Sequence, residues 1–404
     1  MIADKIRSLI GEQGVVGVDA RGATRVAPAT DEECMLILRT ASSEKWHVRI
    51  EGTGNWIQPD APAEIAITTS RMTGVTDLNP PDLVASVRSG TKWEEVRTAL
   101  ANEGTWITLD PPGSTRSVGS IVACATAGPL RTGFGTVRDQ LLGLTLITAD
   151  GRQVKAGGKV VKNVAGYDLT KLVAGSYGAF GIITSVNIRL HAVPRADVTL
   201  IAHGHRDSLL GGARQILEAG ITPAALELVS PAAAGHDTWL LAMRLIGSDE
   251  AVRAEQIAIA AVAPQLLLIP LEARDGANLW NTILAGVTEA PTTLRIGALS
   301  TSLTDVLDMV AHHLDENCDD WITANVLSGV VRWSGSATTE RLRLLRGTAA
   351  QREMPVTLER SPWSVRSEMG HFGAYRDGIG RVIHLLRRSF DAQRTLVVPL
   401  GEDS

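Results

Sequence analysis

The sequence predicts an α+β chain of two domains, and three observations carry that reading. With 404 residues, the chain is too long for one ordinary hydrophobic core, and Pro194 marks the expected boundary between residues 1–194 and 195–404. The first half holds three glycine-rich turns, each abutting an apolar strand or a helix of small residues: VRIEGTGNW from Val48, DPPGSTRSVGSIVACATAG from Asp110, and GGKVVKNVAGYDLTKLVAGSYGAFGIIT from Gly157. The second half alternates strands and helices in a βαββαβ rhythm, as expected of an antiparallel sheet covered by helices on one face.

Composition narrows the function classes. A formal charge of -5 without a polybasic stripe argues against nucleic acid or an anionic membrane surface as partner. The longest apolar run, Ile257 to Leu271, is broken by Pro264 and Gln265 and is too short to cross a bilayer. The opening residues, MIADKIRSLIGEQG, mix both charge signs at helical spacing and lack a small-residue cleavage site, so no signal peptide is expected. Cys34, Cys124 and Cys318 are odd in number and far apart. They read as reduced thiols of a cytoplasmic protein, not as a disulfide frame or zinc site. No GxSxG, HExxH or Walker A pattern occurs, which argues against hydrolase and nucleoside triphosphatase chemistry.

In the first half, residues 3–12 read as a short amphipathic helix. Thr30 and Glu33 form a capping box for a helix from Thr30 to Ala41. A strand from His47 to Glu51 then enters Gly52-Thr53-Gly54. Ile57 stands where a dinucleotide fingerprint needs its third glycine, and Pro59 and Pro62 block a following helix, so a nicotinamide site is rejected. Strands are expected at 64–69, 75–78 and 83–88, then a helix capped by Thr91 with Glu94 three residues on. A strand from Trp106 to Leu109 leads to Pro111-Pro112-Gly113-Ser114, where the double proline presets a turn and Gly113 allows close approach. From Ser117 to Ala127 almost every side chain is small. Such a helix can press on a planar ring or simply pack tightly on a sheet. A hairpin follows, with strands 141–148 and 152–155 around Asp150-Gly151. In the third turn Asp168 is placed to cap a helix to Ala174, and Gly175, Gly178 and Gly181 precede a strand from Phe180 to Leu190.

In this order and spacing the segments resemble the FAD-binding domain of the vanillyl-alcohol oxidase and p-cresol methylhydroxylase superfamily. The stretch KNVAGYDLTKLVAGSYGAFGIIT is most similar to the FAD-binding E subunit of glycolate oxidase and related 2-hydroxy-acid dehydrogenases. The resemblance implies a PCMH-type FAD-binding domain of two α+β subdomains, followed by an α+β cap domain with antiparallel sheet, its C-terminal tail returning toward the FAD domain. It assigns cofactor contacts to Gly52, Thr53, Gly54, Asn55 and Trp56, to Pro112, Gly113 and Ser114, to Ser117, Val118, Gly119, Ala123 and Gly128, and to Gly178, Gly181, Ile182 and Ile183. Ser120 and Ile121 depart from the family pattern, which has a glycine and a polar residue there. Some relatives carry a flavin-linking histidine where Asn55 or Trp56 stands. Neither can form that bond, so non-covalent FAD is expected. Arg131, Gly135, Arg138 and Asp139 resemble the family's charged positions, and a surface salt bridge explains them equally well. Lys159, Lys162 and Asn163 could face a pyrophosphate or simply flank an exposed turn.

For the second half, strands are expected at 198–202, 226–228, 238–244, 294–298, 322–326 and 329–333, and helices at 206–218, 248–260, 304–314 and 339–346. Oxidising a 2-hydroxy acid needs a cation for the carboxylate, a base for the hydroxyl proton and a C2 hydrogen aimed at the flavin. The family's metal-binding H-x-G-D-G-N-x-H segment has no counterpart here. His312 and His313 precede Asp315, Glu316 and Cys318, yet adjacent histidines leave a helix on different faces, so no metal site is expected. His371 with Arg366 and Arg376 forms a conceivable substrate-facing set, with surface pairing as the alternative. The resemblance implies glycolate, lactate or a similar acid as substrate, or a catalytic flavoprotein subunit as partner. It also implies an iron–sulfur electron-transfer subunit, since this chain lacks the cysteines for a cluster. Cytoplasmic location follows, with any inner-membrane association peripheral and through partners.

Overall fold

The computed structural model describes residues 1–54, 56–57, 61–159, 168–314, 320–373 and 378–398. The first sheet has five strands in the order Val15–Val18, Thr24–Val26, Ile65–Thr68, Val48–Glu51 and Leu396–Val397. Its last member comes from the far end of the chain and runs parallel to Val48–Glu51, pairing Leu396 with Val48 and Val397 with Arg49. The Asp391 carboxylate fixes that return by accepting from the N–H groups of Thr395 and Leu396 at 2.7 and 2.9 Å.

A second, fully antiparallel sheet orders Val75–Asn79, Val84–Arg88, Ile182–Arg189, Leu141–Ile147 and Gln153–Gly157. The expected hairpin around Gly151 is its edge. Helix Asp31–Glu44 buries Ile37, Leu38 and Ala41 in a cluster with Ile147 and Ile182, so one hydrophobic core joins the two sheets. As expected, the Thr30 side chain accepts from the Glu33 N–H at 3.2 Å. The Glu33 carboxylate reaches past Thr30 to the Ala29 N–H at 2.6 Å. Thr30→Ala should cost about 1 kcal/mol, the usual worth of such a cap, read as a lower urea midpoint at unchanged slope.

An eight-stranded sheet fills the second half, all its pairs antiparallel, in the order Ile269–Pro270, Ala196–Gly204, Trp239–Gly247, Ala225–Val229, Trp321–Asn325, Val330–Gly335, Thr292–Gly297 and Val356–Arg360. Helices Arg206–Glu218, Asp249–Val262, Leu303–Leu314 and Thr339–Gln351 cover one face, where Leu241, Met243, Ile296 and Trp333 are wholly buried. The opposite face is mixed, contrary to the expected one-sided cover: Ala225, Val229, Leu240 and Ala242 pack against Trp280 and Ile283 of helix Ala273–Glu289, beside the buried Glu227, Arg332 and Glu359.

Three local expectations fail. Helix Trp93–Ala101 begins after Lys92, not Thr91. Lys92 bridges Ser117 as extended backbone, while the Thr91 hydroxyl bonds the Arg88 carbonyl at 2.7 Å and accepts from the Gly74 N–H. The expected strand at 106–109 is only Thr105–Trp106, paired with His191–Ala192. Helix Ala273–Glu289 was not predicted because Gly276, Asn278 and Gly286 are poor helix formers. Packing overrides propensity there: a Cβ on Gly286 would lie 2.1 Å from the Trp321 ring.

Candidate functional site

The three glycine turns meet on one cavity of about 520 Å³, within the usual range for cofactor and ligand sites. Strand Val48–Glu51 delivers Gly52, Thr53, Gly54 and Trp56 to it. Helix Val118–Cys124 contributes Gly119, Ser120, Ala123 and Cys124, with its N-cap Ser117 at the edge. Tyr177, Gly178, Gly181 and Ile183 come from the third turn. The remaining wall belongs to the second half, where helix Trp363–Met369 and the turn after it supply Trp363, Arg366, Gly370 and His371. Val397 and Val398 of the returning tail complete the lining.

The glycines differ in what they make room for. Gly52 abuts the cap of the small-residue helix, since a Cβ there would sit 2.2 Å from the Ser117 Oγ. Gly181, at φ +142°, would place a Cβ 2.1 Å from the Ile147 carbonyl, so its lack of a side chain serves packing. Gly178, at φ +82°, has only the Ile50 Cδ1 within reach, at 3.4 Å, and otherwise opens toward the cavity.

The other expected contacts lie elsewhere. Pro112 and Gly128 line a neighbouring cavity of about 10 Å³ with Arg131, Glu227, Asn325 and Arg332. Val118 and Ile182 point into separate hydrophobic cores, fully buried. Gly113 makes space for Arg116, whose Cδ would be 2.9 Å from a Cβ there, and Ser114 accepts the Glu94 N–H through its carbonyl. Asn55, Lys162, Asn163 and Arg376 lie outside the described residues, as do Asp315, Glu316 and Cys318. Lys159 pairs with Asp77 at 2.5 Å on the surface. Arg138 donates from Nε and Nη2 to the Ala174 carbonyl, bracing the third turn, while Asp139 caps Thr136. His313 is bonded to Thr348 at 3.0 Å, and no group of residues that could hold a metal ion occurs among the described residues.

Behind Trp56 stands Arg116, wholly buried, its guanidinium 4.0 Å from the indole centroid. It donates to the Pro112 carbonyl and to Thr126 Oγ1 at 3.3 and 3.1 Å, and burial pushes it down to about 10. The Cys124 thiol is pushed up to about 11 by burial, so it is protonated and not a nucleophile. Burial raises the Tyr177 phenol as well. His371 is 1% exposed, and burial, then Arg366, depresses its imidazole to about 3. Trp56 Nε1, Tyr177 Oη and both His371 ring nitrogens are buried and lack hydrogen-bond partners among the described residues. Orphaned polar atoms on aromatic residues that line the same cavity as the glycine turns fit a flat group with polar margins. The main-chain N–H groups of Thr53 and Gly54 meet no backbone acceptor among the described residues, which fits a phosphate-bearing arm.

An unfolded His371 imidazole titrates near its ordinary value of 6.5, so the chain gains a proton on unfolding once the pH drops below that. The contribution of this imidazole is therefore complete above pH 6.5 and is lost as pH falls toward about 3. His371→Gln should flatten that acid loss in urea titrations between these limits, whereas equal slopes would mean the imidazole ionises in place.

Sequence reasoning assigned neither Tyr177 nor the tail valines to the site. A tyrosine between Ser176 and Gly178 carries no motif, and its positive φ of 54° is visible only in the folded backbone. Val397 reaches the cavity through strand pairing across the length of the chain.

Residues 23–157 match the protein family described as FAD binding domain. The chain is 40% identical over 129 residues to glycolate oxidase subunit GlcE of Escherichia coli, covering 31% of this chain and 37% of that protein. It is 32% identical over 182 residues to the mitochondrial D-lactate dehydrogenase [cytochrome] of Arabidopsis thaliana, covering 44% of this chain and 32% of that one. The chain thus spans well under half the length of these relatives. Among solved structures, p-cresol methylhydroxylase with substrate bound superimposes with a TM-score of 0.74 at 13% identity, covering 97% of this chain and 94% of that one. Alkyldihydroxyacetonephosphate synthase gives 0.69 at 14% identity, covering 94% and 77%. Residues 23–157 thus match an FAD binding domain, in a chain that is similar to glycolate oxidase subunit GlcE and a D-lactate dehydrogenase and that shares the fold of p-cresol methylhydroxylase.

Proposed function

We propose that this chain is the FAD-carrying component of a dehydrogenase for glycolate, lactate or a similar 2-hydroxy acid, passing electrons on to an iron–sulfur partner. The observation that carries the reading is the single cavity bounded on one side by the three glycine turns and on the other by His371 and Arg366. Residues 1–194 would act as the FAD domain and 195–404 as the cap. Gly52, Thr53, Gly54 and Gly178 would hold FAD through main-chain groups, Trp56, Ser117, Gly119 and Ala123 would flank it, and Gly181 and Ile183 would shape the floor. Binding would be non-covalent, since Trp56 cannot make the histidyl link. Bound flavin supplies the two-electron acceptor. The chain's own residues orient the acid, exclude water and hold the hydroxyl proton near the neutral His371 imidazole. The protein would work in the cytoplasm, reaching a membrane only through its partners; no described helix is long and apolar enough to cross one.

A second reading is an accessory or purely structural subunit of a multi-subunit dehydrogenase, favoured by the lack of a metal-holding group among the described residues. An anaerobic spectral titration separates them. Flavin bands that bleach with glycolate or D-lactate support the first reading. Bound flavin that no hydroxy acid bleaches supports the accessory role, and protein left colourless after FAD addition supports a scaffold.

A further inference from the structure

We propose that His371 and Tyr177 form the subsite that reads the hydroxyl of a 2-hydroxy acid: the imidazole accepts a hydrogen bond from the substrate O–H, and the phenol donates one to the same oxygen. This rests on the reading above that the cavity takes FAD and such an acid. The two rings meet edge to face, with centroids 4.6 Å apart, and Phe372 packs against both at 5.1 and 4.8 Å. Both line the cavity, at 9% and 1% exposure. Their polar atoms find no partner among the described residues.

Each side chain is held from behind by its backbone. The Tyr177 N–H donates to the Ala123 carbonyl at 2.8 Å, and the His371 carbonyl accepts the Leu358 N–H at 2.8 Å. The backbone that carries each ring is therefore anchored. Groups acting on the pair are Arg366, Arg346, Arg295 and Arg116 against Glu359, with the Cys124 thiol protonated, so the surroundings are cationic on balance and suit an acid's carboxylate. A neutral imidazole offers one acceptor nitrogen and one N–H donor, and a protonated phenol a donor. A hydroxyl can donate to the imidazole acceptor while accepting from the phenol, whereas a carboxylate can only accept. An acid without the hydroxyl leaves the imidazole acceptor unpaired, which is how sites of this type reject such analogues.

2-Hydroxyisobutyrate has no C2 hydrogen and cannot be oxidised, and isobutyrate is the same acid without the hydroxyl. Their affinities are read from flavin difference spectra in the loaded protein and from tryptophan fluorescence in the flavin-free protein, since Trp56 and Trp363 line the cavity. The wild type should prefer the hydroxy acid by about a hundredfold or more, and Tyr177→Phe and His371→Gln should each reduce that to under about tenfold. Retained preference in both variants overturns the subsite alone. Absence of preference in flavin-loaded wild type overturns it as well. Tyr177→Phe removes one oxygen from a packed ring and carries the test should His371→Gln not fold. A wild type that takes up no FAD refutes the cofactor reading instead. The fluorescence arm then still decides the pair, because equal affinities there overturn it and a hydroxyl-dependent preference supports it.

Discussion

Gly178→Leu is expected to leave the protein folded with less than about a tenth of the wild-type flavin content, because Gly178 lines the cavity and a Cβ there meets only the Ile50 Cδ1 within 4 Å among the described residues. Two costs must be separated. A leucine at φ +82° pays a left-handed backbone penalty of about 1–2 kcal/mol, independent of any ligand. Gly220 supplies the control, since it has a φ of +79° and no atom within 4 Å of a Cβ. Gly220→Ala should lose similar stability and no flavin. Gly181→Ala behaves differently again: its Cβ would strike the Ile147 carbonyl, so its loss should be seen in folding yield before cofactor. Flavin content is measured by absorbance after release, and thermal unfolding reports the backbone term. A Gly178→Leu protein that keeps its flavin would show that the third turn does not seat the cofactor.

The sequence made the glycine turns legible because each abuts an apolar strand or a helix of small residues, and because capping residues such as Thr30 and Asp168 have local jobs. Local signals could not separate a glycine that lines the cavity from one that admits a neighbouring backbone. Gly178 and Gly181 stand three residues apart in the same turn, and only the atoms around them tell them apart. Similarly, Gly113 reads as a cofactor approach and turns out to seat Arg116. The second-half wall was partly visible: His371 and Arg366 were candidates from residue type alone, and both line the cavity. Tyr177, Val397 and the helix Ala273–Glu289 were hidden for one reason. Their places are set by partners far away in sequence, namely Ala123, Arg49 and Trp321.

Glu359→Ala should be the most destabilising single change, by about 3–5 kcal/mol in urea denaturation at neutral pH. Glu359 is 1% exposed and accepts from Arg332 Nε at 2.9 Å, with Arg295 Nε at 3.3 Å. Arg295 and Arg332 lie directly opposite one another on adjacent strands, so removing the carboxylate leaves two guanidinium groups facing each other with little water. Glu359→Gln keeps an acceptor and should lose less. Burial opposes the charge on Glu359, but Arg332 and Arg295 outweigh it and hold the carboxyl below its usual range. Its contribution is therefore present above the unfolded value near 4.5 and disappears as pH falls through the lower folded one. Glu227, on the same face of the sheet, has the opposite sign. Burial pushes it up to about 8, despite the Asn325 hydrogen bond at 2.6 Å. Its share of stability is complete below 4.5 and is lost as pH rises through about 8. Wild-type stability should thus fall on both sides of a maximum, with Glu359→Ala lowering the whole curve and flattening its acid limb, and Glu227→Gln flattening only the alkaline one. An acid limb unchanged in Glu359→Ala would mean that the Arg332 and Arg295 pairing does not bind the folded state together.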